Sequence, residues 1–283
     1  MEFSYYPGCT LKGSAQELDE SFRSVAERLG VSLREIPDWT CCGASSAHMV
    51  DAFLEIALPA KDLMTAERMG KDVVAPCAGC HVRMKAAAMH IMKEKELQSR
   101  FPFKGDIRVM SGMDMFDVKE LRARLKERVT KPLEGLKVVP YYGCYAVRPI
   151  DVVEPEDAEN PMQMDHILED MGAEVIAWPY KTDCCGGSLA LTRTDMVLKL
   201  SGKLIDMAKA LGADAMVTFC PMCQANLDTR QADMAKAFGK VYQMPVLFLT
   251  EIMGVALKAP QAKHWLSKHL VPADSMLASK GLL

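Results

Sequence analysis

Two periodicities alternate along the chain. Short apolar runs, at Phe3–Tyr6, Val31–Ile36, Asp72–Ala75 and Ile107–Met110, have the length and side-chain types of strands. Between them apolar residues recur at helical spacing over Ala15–Leu29, about His48–Met69, Gly79–Lys93 and Met115–Arg128. The same order then returns, with strands expected at Lys137–Tyr141, Ala173–Trp178, Ala215–Phe219 and Val246–Leu249 and helices between them. Helices that alternate with strands carry the chain back across a sheet, so the pattern predicts an α/β fold with a parallel sheet in each half. Lys131-Pro132 and Gly135 interrupt the helical pattern, which predicts two modules, residues 1–132 and 133–283. The acidic stretch Glu154–Pro161, with two prolines, reads as a loop.

Composition narrows the function classes. With 283 residues, 49% hydrophobic and 25% charged, the chain has the make-up of a globular protein of one or two domains. A net charge of −3 lacks the basic surplus expected of a nucleic-acid binder. No window approaches the roughly 18 apolar residues of a membrane helix, and Met1–Gly8 has no basic-then-apolar leader pattern, so a cytoplasmic protein is expected. In such a reducing compartment ten cysteines are not structural disulfides. Metal or cluster ligation and redox chemistry remain.

The cysteines fall into two sets with one order: a single Cys, an adjacent pair, then C-x-x-C. The first set is Cys9, Cys41, Cys42, Cys77 and Cys80, and the second is Cys144, Cys184, Cys185, Cys220 and Cys223. Within the first, 31 and 34 residues separate the groups; within the second, 39 and 34. The repeated interval of 34, and the flanks Tyr5-Tyr6-Pro7-Gly8-Cys9 against Tyr141-Tyr142-Gly143-Cys144 and Cys41-Cys42-Gly43 against Cys184-Cys185-Gly186, mark an internal duplication. The fold class is therefore α/β, with two pseudo-symmetric parallel-sheet modules.

Position explains why the cysteines should meet. Cys9 follows the first strand, Cys41 lies just beyond the second and Cys77 follows the third, so all are delivered to the carboxyl edge of one sheet, where α/β proteins gather their sites. Gly43, Gly186 and Gly187 let backbone approach a bulky ligand. Thiolates beside helix N-termini are stabilised by the N–H groups there. Five thiols exceed the four ligands of a structural zinc site or a cubane cluster. Zinc in one module stays open on ligand type alone.

As a set these motifs resemble the CCG-domain family, and within it the catalytic B component of heterodisulfide reductases, from Tyr5 to about Leu257. Both modules are complete and the ferredoxin-type C-x₂-C-x₂-C-x₃-C-P run is missing, which sets the chain apart from the glycolate- and glycerol-3-phosphate-oxidising relatives. The resemblance implies two noncubane [4Fe–4S] clusters, one on each set of five cysteines, and reductive cleavage of a small-molecule disulfide held between them. It also implies two partners in the same complex, a ferredoxin-like component and a flavoprotein component. The competing readings are the iron–sulfur component of a lactate-type oxidising system and a zinc-stabilised scaffold.

Other residues are weaker candidates. His48 and His81 stand near the cysteine motifs and could give a proton to a leaving thiolate. Lys181, Arg193, Arg83 and Arg148 could hold an anionic head group, though each also reads as a surface charge. Met84, Met89 and Met92 read as adaptable core packing. The tail, Ala262–Leu270 and Leu277–Leu283, either docks a partner or covers the core.

Overall fold

The computed structural model describes residues 1–44 and 47–283. Among them are two four-stranded sheets, all strands parallel. The first holds β1 (Glu2–Tyr5), β2 (Ser32–Glu35), β3 (Val73–Ala75) and β4 (Val109–Ser111) in the order β2-β1-β3-β4. The second holds β5 (Lys137–Tyr141), β6 (Glu174–Val175), β7 (Ala215–Thr218) and β8 (Val246–Phe248) in the order β6-β5-β7-β8. The two orders are identical once the repeat is superposed, as a duplication requires. Strands β3 and β7 are buried along their whole length. That is why they read as unbroken apolar runs rather than alternating ones.

The helices that matter for the site are α1 (Gln16–Arg28), α2 (Ala52–Met69), α3 (Ala78–Lys93), α4 (Gly112–Asp117), α5 (Gln163–Asp170), α6 (Thr194–Ala210), α7 (Pro221–Asp228) and α8 (Leu249–Ala256). Two departures from the sequence reading have clear causes. The helix expected over His48–Met69 is split: a turn at Ala47–Val50 ends at Asp51, which is extended (φ −149°, ψ 118°). Its carboxylate accepts from the Phe53 and Leu54 N–H groups at 2.7 and 3.3 Å, so an internal aspartate restarts the helix as its N-cap. The helix expected over Met115–Arg128 begins earlier, at Ser111, whose capping box with Asp114 starts α4, and breaks at Val118.

The modules join through equivalent elements. Helix α1 packs on α8 and α4 packs on α5, and the repeat carries the first pair onto the second. One continuous apolar core runs through both, with Phe22, Phe116, Phe219 and Trp265 among its members. Polar contacts stitch the seam: Ser21 and Thr250 hydroxyls meet at 2.7 Å, and Arg122 Nε bonds Asp170 at 2.6 Å. The tail covers the core, with Trp265, Leu266, Leu277 and Leu282 buried while Leu270 stays exposed. Met84 is a core residue as expected, but Met92 lies on the surface over Gly105.

Candidate metal centre

Each cysteine set gathers at the carboxyl ends of the strands. Shortly after the first strand of each module comes a glycine with positive φ, Gly8 (+69°) and Gly143 (+70°), directly before the single cysteine. A Cβ at Gly8 would lie 2.8 Å from Cys80 Sγ, and one at Gly143 would lie 2.9 Å from Cys223 Sγ. Only glycine lets the backbone pass this close to the thiol, and the two modules do it identically. The preceding tyrosines fix the next segment. Tyr6 Oη donates to the Thr40 carbonyl at 2.5 Å, and Tyr141 Oη to the Asp183 carbonyl at 2.6 Å, in each case the residue before the cysteine pair.

The thiols meet in matching pairs. Cys42 Sγ lies 3.3 Å from Cys80 Sγ, and Cys185 Sγ lies 3.6 Å from Cys223 Sγ. Cys144 and Cys184 sulfurs are 4.0 Å apart. Cys41 Sγ accepts the Gly43 N–H at 3.4 Å, and Cys184 Sγ accepts the Gly186 N–H at 3.2 Å. Cys77 and Cys220 cap α3 and α7, which puts Cys80 and Cys223 in the first turns; the Cys80 thiol and, against burial, the Cys80 and Gly79 N–H groups lower the Cys77 thiol. All ten thiols are free; Cys9 and Cys184 are exposed, and Cys42, Cys80, Cys185, Cys220 and Cys223 are buried. A Cβ at Gly43 or Gly186 would press on side chains of the following helices, Ala47 and Val197, and both residues serve turns (φ +78° and +84°), while a Cβ at Gly187 would lie 3.8 Å from Cys185 Sγ.

Charge follows this geometry. Hydrogen bonds from Cys41 and Cys80 bring the Cys42 thiol down to about 3, and a hydrogen bond from Cys144 brings Cys184 down to about 6. The partners that supply these bonds, Cys41, Cys80 and Cys144, are pushed up. Each module thus favours the thiolate at one member of a sulfur pair at the expense of the other. Among the described residues, no three His, Cys, Asp or Glu side chains converge as around one single ion. The arrangement instead offers five soft thiol donors around a cradle with no Cβ on its floor, which fits a centre with several metal atoms.

The remaining candidates fare unevenly. The His48 side chain lies outside the described residues. His81 is buried in the first turn of α3, and burial lowers its imidazole to about 4 despite the opposing pull of Asp114, so it is neutral at pH 7. The four cations are already engaged. Lys181 is buried against Asp165 at 2.7 Å, with Asn160 at 2.8 Å. Arg148 pairs with Glu159 at 2.5 Å, Arg193 with Asp195 at 3.0 Å, and Arg83 with Glu55. Sequence reasoning missed three features: the Gly8 and Gly143 cradle, the two tyrosine pins, and Asn226, whose Nδ2 donates to Cys185 Sγ at 3.6 Å. The first was readable as a glycine before each lone cysteine.

The two sites share a seam. A Cβ on Gly79, inside the first C-x-x-C, would come within 3.9 Å of the Tyr145 ring, next to Cys144. Exposed apolar side chains stand near the cysteines in sequence: Met49, Val50, Phe53 and Leu54 follow the first pair, Leu191 follows the second, and Met222 lies inside the second C-x-x-C. Among the described residues no helix is long and apolar enough to cross a membrane.

Comparison with known proteins agrees with the duplication. The family model for the CCG cysteine-rich domain matches twice, at residues 3–85 and 138–228. The membrane anchor of the 8-methylmenaquinol:fumarate reductase of Wolinella succinogenes is 31% identical over 97% of this chain and 99% of its own length. The B component of the ferredoxin:CoB-CoM heterodisulfide reductase of Methanosarcina mazei is 26% identical over 90% of this chain and 89% of its own. A crystal structure of a hypothetical protein from Helicobacter pylori superposes with a TM-score of 0.73 at 12% identity, covering 96% of this chain and 52% of that one, so this chain spans about half of it. That likeness speaks for the fold alone.

Proposed function

The chain belongs to the CCG cysteine-rich domain family, and on that premise we propose that it is the two-cluster electron-transfer component of a heterodisulfide-reductase-type complex, working on a small two-electron carrier at the seam between its modules. The observation that carries this reading is the duplicated cradle, in which Gly8 and Gly143 clear the floor beneath Cys80 and Cys223 in the same way. Cys9, Cys41, Cys42, Cys77 and Cys80 would hold one noncubane [4Fe–4S] cluster, and Cys144, Cys184, Cys185, Cys220 and Cys223 the other. Each cluster, when bound, supplies one-electron chemistry, and a pair of them matches a two-electron carrier. The protein's own contribution is positional. Tyr6 and Tyr141 anchor the cysteine pairs, the Gly43 and Gly186 N–H groups stabilise negative sulfur, and the packing of α1 on α8 and α4 on α5 holds the two sites at a fixed separation.

Two carriers suit this frame. One is a disulfide of two small thiols, as the resemblance to the heterodisulfide reductases implies, cleaved with two electrons and two protons to two thiols. The other is a quinol, named for the Wolinella relative, which gives up two electrons and two protons. Two observations favour the quinol. Lys181, Arg83, Arg148 and Arg193 are all paired with carboxylates and so do not await an anionic head group. The apolar run Met49, Val50, Phe53 and Leu54 beside the first site suits a lipid surface from which an apolar carrier arrives. Its partners in this reading are a ferredoxin-like protein and a flavoprotein, both on the cytoplasmic side.

The test starts with iron, acid-labile sulfide and zinc on protein prepared without oxygen. About eight irons per chain are expected for two four-iron clusters. Dithionite-reduced protein is then mixed with a short-chain quinone or with a small disulfide, and reoxidation is followed optically. Reoxidation by the quinone alone is expected; reoxidation by the disulfide alone would restore the other carrier. Zinc without iron would leave a scaffold and overturn both.

A further inference from the structure

The duplication allows the two sites to be compared residue by residue. From the cysteine pair to the end of the C-x-x-C helix the offset is constant, since 185 − 42 and 223 − 80 both equal 143. At this offset Arg83 corresponds to Asn226, Glu55 to Leu198 and Ala87 to Arg230. These positions surround the buried cysteine of each pair, and the charges they place there differ.

In the second module Asn226 is buried and its Nδ2 donates to Cys185 Sγ at 3.6 Å. Its Oδ1 accepts from Arg230 Nε at 3.3 Å, which fixes the direction in which the amide points. Arg230 also donates to the Ala190 carbonyl at 2.9 Å, and among the described residues its bonds go to neutral oxygens. A whole positive charge therefore stands one amide away from the sulfur. In the first module Arg83 stands at the position of Asn226 and acts on Cys42 through its charge, but Glu55 on α2 pairs with it and offsets that charge.

Reducing an iron–sulfur centre adds negative charge. A nearby cation and an N–H donor on a ligating sulfur both favour the reduced form and raise the potential. The first site has a neutralised ion pair; the second has an uncancelled cation relayed through an amide. We infer that the two sites have unequal affinities for an electron, the C-terminal one higher, and that Asn226 with Arg230 behind it sets the difference as positioning residues. This rests on the two-cluster reading above. Each site takes one electron, which in the cell comes from the two-electron carrier and in the test from dithionite. The first electron to enter the pair resides at Cys185's side, and the second at Cys42's.

The test is a potentiometric titration of the full-length, iron-loaded chain under anaerobic conditions, read by electron paramagnetic resonance. Two separate one-electron steps are expected. Asn226→Leu should lower the electron affinity of the higher step about tenfold, or about 59 mV for one electron, and leave the lower step in place. Arg230→Met should move the same step in the same direction without altering any group bonded to a sulfur, so the test survives if the first variant loads iron poorly. Glu55→Gln, which uncovers Arg83, should raise the lower step. The inference is overturned if the Asn226 or Arg230 variants move the lower step, move both equally, or move neither while about eight irons remain bound. Wild-type protein without iron would instead defeat the two-cluster reading, and this inference with it.

Discussion

Replacing Gly143 by alanine isolates the role of the cradle. Gly143 sits at φ 70°, ψ 176°, a region open essentially to glycine alone, so an alanine costs on the order of 1–3 kcal/mol in backbone strain. Its Cβ would lie 2.9 Å from Cys223 Sγ, where ordinary contact begins near 3.4 Å, so backbone or sulfur must shift by about half an ångström. Cys223 is buried and already in contact with Cys185 at 3.6 Å, so the sulfur cannot move without disturbing the pair. The expected result is loss of one centre, with iron falling from about eight to about four per chain. Gly70→Ala is the control. Gly70 ends α2 at φ 68°, ψ 29°, with nothing within 4 Å of its would-be Cβ, so alanine there costs about 1 kcal/mol and touches no sulfur. Iron per folded chain is measured for both, with thermal unfolding to confirm folding. If Gly143→Ala keeps full iron and merely loses stability, the close approach of backbone to sulfur is not what the site depends on, and the reasoning fails.

Gly112→Ala should destabilise by about 1–3 kcal/mol by overpacking the joint core, since its Cβ would lie 2.6 Å from Phe22 and collide with Phe219; a variant as stable as the parent in thermal unfolding would refute this. Tyr141→Phe removes the hydrogen bond to the Asp183 carbonyl and should cost about 1–3 kcal/mol in urea unfolding, whereas no loss would mean that the pin is idle. Burial alone would lower the His269 pKa, but the Glu251 carboxylate at 2.9 Å outweighs it and raises it above the ordinary value. The stability this contributes is complete below about pH 6.5 and is lost as pH rises through the folded value, at about 1.4 kcal/mol per pH unit in that window. The melting-temperature gap between wild type and His269→Gln should therefore narrow from pH 6 to pH 9; an unchanging gap would rule the linkage out.

Much of the architecture is legible because single physical constraints act locally. Strands β1 and β5 are apolar runs halted by glycine and cysteine, and β3 and β7 are runs buried on both faces. The repeated spacing of 34 residues announces equal helices between the pair and the C-x-x-C. What escaped depends on contacts distant in sequence or on polar residues hidden in a periodic pattern. Asp51 stops one helix and caps the next, yet sits inside an unbroken apolar rhythm. Strand β6 shortens to Glu174–Val175, and Trp178, expected within it, donates its Nε1 to the Pro140 carbonyl at 2.8 Å. Arg83 and Lys181 read as available because the carboxylates that hold them are not their neighbours in sequence: Glu55 lies 28 residues from Arg83, and Asp165 lies on a different element from Lys181. The five-thiol sets were readable by count and order, and a glycine stands before each lone cysteine; that it clears the floor beneath Cys80 and Cys223 needed coordinates.

The pairing of α1 with α8 and of α4 with α5 has a consequence for how the two halves can change. Two separate copies of one module would have to find each other in solution and present the same face to each other. Here a linker near Thr130, whose N–H is bonded to the Ala256 carbonyl, keeps them at an effective concentration on the order of millimolar, as short tethers do. Association then no longer depends on self-complementarity. Phe219 can fill the seam against Phe22 and Gly112 while its counterpart in the first module is Pro76, which makes the halves mutually required rather than interchangeable. A tethered pair can assign each half its own charge and its own moment of use, which a pair of identical protomers cannot.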